Sequence, residues 1–362
     1  MVKVLLYPIS LIYGLIVFIR NKLFDLNMLS SQEFDIPVIS VGNINVGGTG
    51  KTPHIEYLVS VLKSNFKIAT LSRGYKRKTK GFILANSQST ATEIGDEPLQ
   101  IKNKFPSIDV AVDACRVNGI NQLLNKNNNL NAILLDDAFQ HRYVNPGISI
   151  LLIDYNNPLS KDYLLPLGRL REPASQTKRA SIIIVTKCPS ELKPIERRIM
   201  EKDLGIFPYQ NLYFTTFNYG KLIPIFSANP LIGDFDDSEI KKYSLLVVTG
   251  IANPDKMLSY LGRTQQKIEH LKYPDHYNFK QKDIANICNT FNGIENKNKI
   301  IITTEKDAMR LKDSVFKEMI INLPIYYLPI EINFLFEDSK KFNNQIISYV
   351  KTNKRDSIVY RK

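Results

Sequence analysis

The chain has 362 residues, 44% apolar and 23% charged, and its 48 Lys+Arg against 35 Asp+Glu give a net charge of +13. That length exceeds one compact core, the apolar content excludes wholesale disorder, and three widely spaced cysteines exclude a disulfide framework or a Cys-based zinc site. The cysteines point to a reducing compartment, while the charge fits nucleic acid, an anionic membrane or a phosphorylated substrate.

The first element is an apolar run. Residues 4–19 carry no charge and are flanked by Lys3 and by Arg20 and Lys22. The run is shorter than the ~17–20 residues a spanning helix needs and contains Pro8 and Gly14. No small-residue cleavage site follows it, as a signal peptide would require. An interfacial helix, with Tyr7 and Tyr13 at headgroup level and basic flanks, is expected ahead of a helix buried on the next domain.

Beyond it, short β-branched runs at 38–41, 68–71, 110–112, 133–135, 148–153 and 182–186 alternate with helical stretches. That alternation is the pattern of a mainly parallel sheet with helices on both faces. A second series, 245–248, 300–303 and 325–328, encloses helix-like stretches at 255–261 and 282–291. Residues 218–242 have poor periodicity, two prolines and clustered acids, so the domain boundary is expected there. The basic tail, 351–362, is expected to fray.

The strongest chemical signal follows the first strand. Asn45, Val46, Gly47, Gly48, Thr49, Gly50, Lys51 and Thr52 lie between strand 38–41 and a helix expected to start near Thr52. A strand–Gly-rich loop–helix unit lets backbone N–H groups converge on phosphate oxygens at a helix N-terminus. Lys51 would then reach the β- and γ-phosphates of a nucleotide, and the Thr52 hydroxyl would ligate Mg²⁺. The pattern departs from G-x-x-x-x-G-K-[ST] at its first position, where Asn45 replaces glycine; Asn tolerates left-handed angles better than most residues. Strand 133–135 ends in Asp136 and Asp137, where a P-loop enzyme needs its second Mg²⁺ contact. Together these argue for an ATP- or GTP-using enzyme.

Further polar clusters punctuate the chain. Residues 72–80 (SRGYKRKTK, with Arg73 and Tyr75) hold five cations in nine positions, suited to an anionic substrate, lipid phosphates or plain solvation. Gly95-Asp96-Glu97-Pro98 is a turn-like acidic insert. Gln140 and His141 directly follow the Asp pair at the sheet's C-terminal edge, where ligands bind in open α/β folds. The loop at 168–173 offers Arg171 to neutralise charge on a transferring phosphoryl group. Asp275-His276 and Thr303-Thr304-Glu305-Lys306-Asp307-Ala308 lie in the second half.

In this order the motifs resemble the tetraacyldisaccharide 4′-kinase (lipid A 4′-kinase) family, from the apolar N-terminus to about residue 310. Ala138 stands where the family often has glycine, and Tyr277 where it has a second histidine. The resemblance implies a P-loop NTPase-like α/β core with a smaller α/β lid domain, the two closing over ATP. It divides the chain into an N-terminal anchor (1–25), a core (26–217), a linker (218–242), a lid (243–350) and a tail (351–362). It implies transfer of the ATP γ-phosphate to the 4′-hydroxyl of a lipid disaccharide 1-phosphate. The enzyme is expected as a peripheral or monotopic monomer at the anionic cytoplasmic face of the bacterial inner membrane. In this reading Thr52 and Asp136 hold Mg²⁺, Asp96 accepts the hydroxyl proton and His276 orients it. Asp137 anchors Lys51, and Arg171 neutralises transition-state charge.

Three rivals fare less well. A regulatory membrane ATPase of the deviant-Walker kind usually carries a lysine where Val46 stands. A GTPase would show Asn-Lys-x-Asp where Thr186-Lys187-Cys188-Pro189 lies. No helix-turn-helix, zinc finger or RNA-binding aromatic signature supports nucleic acid.

Overall fold

The computed structural model describes residues 2–226, 237–263, 267–275, 277–312 and 314–359. Chain order is α1 (Val2–Asp25), β1 (Val38–Gly42), α2 (Lys51–Leu62), β2 (Ile68–Ser72), β3 (Ile83–Leu84), α3 (Ala91–Ile94), α4 (Asp96–Lys104), β4 (Asp109–Val112), α5 (Arg116–Lys126), β5 (Ala132–Asp136) and β6 (Ile148–Asp154). It continues with β7 (Ile182–Thr186), α6 (Pro194–Leu204), β8 (Asn211–Tyr219), β9 (Ile223–Pro224), α7 (Asp237–Ile240), β10 (Ser244–Thr249), α8 (Asp255–Gly262), β11 (Ile268–Lys272) and α9 (Gln281–Gly293). Last come β12 (Lys299–Thr304), α10 (Glu305–Leu311), α11 (Ser314–Ile320), β13 (Ile325–Leu328), β14 (Ile330–Phe334) and α12 (Ser339–Val359).

Two compact units result. The first holds a nine-stranded sheet in the order β14-β8-β7-β6-β1-β5-β2-β4-β3, with β1 paired in parallel to both β5 and β6. Strands β1, β5 and β7 are buried along their whole length, as continuous apolar runs covered on both faces must be. From β1 the chain proceeds to β2 on one side, and from β6 to β7 and β8 on the other. The C-terminal edge of β1, β5 and β6 is therefore the topological switch point at which open α/β sheets bind ligands. The second unit carries a five-stranded sheet, β11-β10-β12-β13-β9, parallel except for β9. Its core includes Leu245, Val247, Ile300, Ile302, Tyr326 and Leu328.

The expected strands form within a residue or so of their expected limits. The division into units differs from contiguous domains in two places. Residues 90–100, expected in the core, cluster with the second unit alongside 219–331, and residues 332–362 return to the first. The return follows from α12, whose Phe342, Ile346 and Val350 are buried at helical spacing. Its Asn343 and Gln345 accept hydrogen bonds from Tyr57 (3.0 Å) and Tyr213 (2.9 Å). The tail expected to fray is helical through Val359. Of the expected linker, Ile223–Pro224 is an edge strand, too short for periodicity to reveal.

The helix α1 belongs to the first unit and is amphipathic in an unusual sense. Its inner face is fastened by polar groups: Ser10 donates to Leu164 O (2.8 Å), Tyr13 to Arg171 O (2.9 Å) and Arg20 to Gln140 O (2.8 Å). Asn21 Nδ2 donates to Glu172, and Arg142 pairs with Asp25 at 2.7 Å. Its outer face is a stripe of exposed apolar side chains, among them Leu11, Ile12, Leu15 and Ile16, each about 60% exposed. A helix buried on the domain is thus realised on one face only. Arg20, read from sequence as a basic flank, turns inward.

Candidate active site

The loop 43–50 leaves β1 at the sheet's C-terminal edge and delivers α2. Gly50 caps that helix with φ +89°, and a Cβ there would come within 2.4 Å of the Phe217 ring. Glycine alone meets both demands. Val46, Gly47 and Gly48 form an exposed tip, while Asn43, Ile44, Asn45 and Thr49 on either side are buried. The flanks are tied down: Asn43 Nδ2 donates to Thr49 Oγ1 (2.9 Å), and the Thr186 hydroxyl to Thr49 O (2.9 Å). Val46 N–H donates to Arg169 O (2.7 Å) and Arg171 N–H to Ile44 O (2.6 Å), forming an antiparallel bridge between Asn45 and Leu170. An open, glycine-rich tip ahead of a helix N-terminus is an anion cradle. Asn45 has no positive φ. It sits at the bridge, so tolerance of left-handed angles is not what this position requires.

The same bridge aims Arg171 at the residues following β5. Arg171 donates to Asp137 Oδ1 (2.8 Å) and Oδ2 (3.3 Å), to Asn43 O (3.0 Å) and to the Asn43 side-chain oxygen. Lys51 Nζ lies 3.7 Å from Asp137 Oδ2 and 3.4 Å from Asn43 Oδ1. Burial pushes the Asp137 carboxyl up, but Lys51 and Arg171 outweigh it and hold the group below its ordinary range. Asp137 is therefore an anion at neutral pH with both cations organised around it.

Thr52 in the first turn of α2 and Asp136, buried at the tip of β5, offer a hydroxyl and a carboxylate. Hard oxygen donors of this kind suit Mg²⁺, which completes its shell with phosphate oxygens and water. Among the described residues no group of three His, Cys, Asp or Glu would hold a metal unaided. An ion that arrives with a nucleotide needs no such group.

Gln140 and His141 occupy the turn after Asp137. Gln140 Nε2 donates to Asn43 O (2.8 Å), and the Gln140 main-chain carbonyl accepts from Arg20, so it couples the loop to α1. Burial lowers His141, and the Arg116 and Arg20 cations lower it further, favouring the neutral ring. Arg73 and Tyr75 are exposed in the loop after β2.

His54 supports α2 from beneath. Its Nδ1–H donates to Gly50 O (2.7 Å), leaving Nε2 to accept the Thr215 hydroxyl (3.2 Å). Burial lowers its pKa from 6.5 to about 4 despite the Gly50 bond. Between those values the unfolded chain binds a proton that the folded chain refuses. The stabilisation is complete above the unfolded pKa and declines as pH falls toward 4, by on the order of 3 kcal/mol. Urea titrations at pH 7 and pH 5 are expected to show a smaller loss of stability for His54→Gln than for the native chain. An equal loss in both would clear His54 of the effect.

In the second unit, Asp96 and Glu97 open α4 after Gly95, whose φ of +94° marks the break from α3. Arg310 on α10 donates to Asp96 Oδ2 through Nη2 (2.5 Å) and Nε (3.2 Å). His276 lies outside the described residues. Tyr277, beside it, donates its hydroxyl to Asp283 Oδ2 (3.1 Å).

Three residues without an assigned role emerge. Asn43 is the hub of the loop, and only its place just before the Gly-rich run hints at this. Glu172, 1% exposed, accepts from Asn21, Gln140 and Arg179, and its position in Arg-Glu-Pro was the available signal. Arg310 lies two residues past the Thr303–Ala308 motif, where sequence alone gives no reason to stop on it.

A family model described as tetraacyldisaccharide-1-P 4′-kinase matches residues 2–351. The tetraacyldisaccharide 4′-kinase of Phocaeicola vulgatus is 49% identical over 354 residues, covering 97% of this chain and 96% of that one. Its namesake in Flavobacterium johnsoniae is 44% identical over 353 residues, covering 98% of each. Among solved structures, the "apo" form of LpxK from Aquifex aeolicus in complex with ATP superposes with a TM-score of 0.76 at 26% identity, covering 97% and 99% of the two chains.

Proposed function

The chain belongs to the tetraacyldisaccharide-1-P 4′-kinase family, and we propose how its residues divide the work of that reaction. The enzyme transfers the γ-phosphate of ATP to the 4′-hydroxyl of a tetraacyldisaccharide 1-phosphate, giving lipid IVA in lipid A biosynthesis. The 4′-oxygen forms a bond to the γ-phosphorus, the bond to the β,γ-bridging oxygen breaks, and ADP departs. Asp96 takes the hydroxyl proton, and His276 tunes it.

The amides of Gly47, Gly48 and Gly50 and the Lys51 ammonium hold the β- and γ-phosphates. Thr52 and Asp136 hold Mg²⁺, which neutralises charge on those phosphates when bound. Arg171 neutralises charge that grows in the transition state, and Asp137 keeps it and Lys51 in place beforehand. Donors fixed in advance cost no reorganisation when the charge develops. Arg73 and Tyr75, exposed in the loop after β2, would contact the sugar-phosphate substrate.

The observation that carries this reading is the Lys51–Asp137–Arg171 network beside the phosphate loop. Incubation with ATP, Mg²⁺ and tetraacyldisaccharide 1-phosphate in mixed micelles is expected to yield the bisphosphorylated lipid. ATP hydrolysis indifferent to lipid, with no such product, would favour a membrane-associated regulatory P-loop ATPase.

The working place of the enzyme, as a monomer, is the anionic cytoplasmic face of the inner membrane, held by α1. Its inner face is committed to the protein, and each apolar side chain on the outer face gains about 1.5–3 kcal/mol by leaving water. Replacing Leu11, Ile12, Leu15 and Ile16 together by serine is expected to abolish co-sedimentation with anionic vesicles while nucleotide affinity stays unchanged. Undiminished co-sedimentation would remove α1 as the anchor.

A further inference from the structure

Two consecutive acids open α4, and two cations spaced one helical turn apart on α10 receive them. Arg310 takes Asp96 through two nitrogens, and Lys306 Nζ lies 3.2 Å from Glu97 Oε1. Positions i and i+4 lie on one face of a helix, so the spacing of Lys306 and Arg310 matches a partner that presents adjacent acids.

Arg310 is itself held. It is 6% exposed, and its Nη1 donates to Asp307 Oδ1 at 3.0 Å. Asp307 is wholly buried and accepts from the Gly250 N–H (2.8 Å) and the Thr304 hydroxyl (2.7 Å). The chain of support therefore runs from the β10 and β12 ends through Asp307 to Arg310 and then to Asp96. A rigid, buried guanidinium that spends two nitrogens on one carboxylate oxygen sets where that carboxylate points.

We infer that Arg310 is a positioning residue for phosphoryl transfer, locking Asp96 as an aimed, ionised proton acceptor that belongs to the second unit. This rests on Asp96 being the base. Displacement of a reacting group by about 1 Å costs on the order of 100-fold, which sets the size of the effect. Arg310→Met is expected to lower kcat about 100-fold while the KM for ATP stays within about threefold, since Arg310 makes no contact with nucleotide in this scheme. Arg310→Lys keeps a cation without the fork and is expected to recover about tenfold of that loss.

The decisive measurement is the double-variant cycle with Asp96→Asn, read in kcat for the full chain. If Arg310 acts through Asp96, Arg310→Met removes nothing further once Asp96 is gone. Losses that multiply, or native kcat in a folded Arg310→Met enzyme, overturn the inference and leave the base assignment standing. Native kcat in Asp96→Asn overturns the base assignment and this inference with it. Should Arg310→Met fail to fold, Arg310→Lys carries the same cycle: a tenfold loss that vanishes in the Asp96→Asn background supports the role, and native kcat removes it.

Discussion

Asp96→Ala is expected to lower kcat by about 10²- to 10⁴-fold, the usual range for a positioned general base, with ATP affinity held to within about threefold. The asymmetry follows from the split of labour. In the proposed scheme Asp96 acts on the acceptor hydroxyl, whereas the loop, Lys51 and the metal ligands would grip the nucleotide. Because phosphoryl transfer has a loose transition state with little need for a strong nucleophile, the loss should not exceed this range. Steady-state kinetics together with direct ATP binding separate the two terms. Near-normal turnover with a raised KM would make Asp96 a binding residue instead.

The second large effect falls on the other unit. Lys51→Met is expected to reduce kcat/KM on the order of 10³-fold, because in the proposed scheme it deletes a cation that stabilises the transferring phosphoryl group. It also removes one of the two cations organised around Asp137, so that its negative charge near the proposed phosphate site is less fully offset, which weakens ATP binding. Both kcat and the KM for ATP should therefore move, in contrast to the Asp96 variant. The double variant Lys51→Met/Asp137→Asn removes that stray charge and is expected to regain part of the ATP affinity and little of kcat. If Lys51→Met changed neither parameter by more than a few-fold, the loop would not be the nucleotide site.

Much of this site is legible in one dimension, because its chemistry is local. A phosphate cradle needs consecutive backbone amides, so the segment proposed for it, Asn45 to Thr52, is contiguous. An acid at a strand tip must directly follow an apolar run, as Asp136 and Asp137 do. The β-branched runs announce the sheet for the same reason, since a strand buried on both faces has to be apolar throughout. What stays hidden is polar and long-range. Asn43 meets Arg171 across 128 positions, and Arg310 meets Asp96 across 214. No spacing rule links such partners. The edge strands β9 and β11 are likewise invisible: one is two residues long, and the other alternates weakly because it is only half buried.

The sequence by itself determined the kind of chemistry, the glycine-rich loop ahead of α2, the two-unit α/β plan and the existence of an apolar N-terminal helix. Tertiary structure alone decided four things. It gave Asp96 to the second unit, although 26–217 reads as one continuous core. It sent α12 back to the first, through Phe342, Ile346 and Val350. It turned Arg20 inward, away from the lipid role its place in the chain suggests. And it wrapped Lys51 and Arg171 around a single carboxylate. The reason is common to all four: local pattern records which side chains must leave water, while the choice of partner is made where distant segments meet.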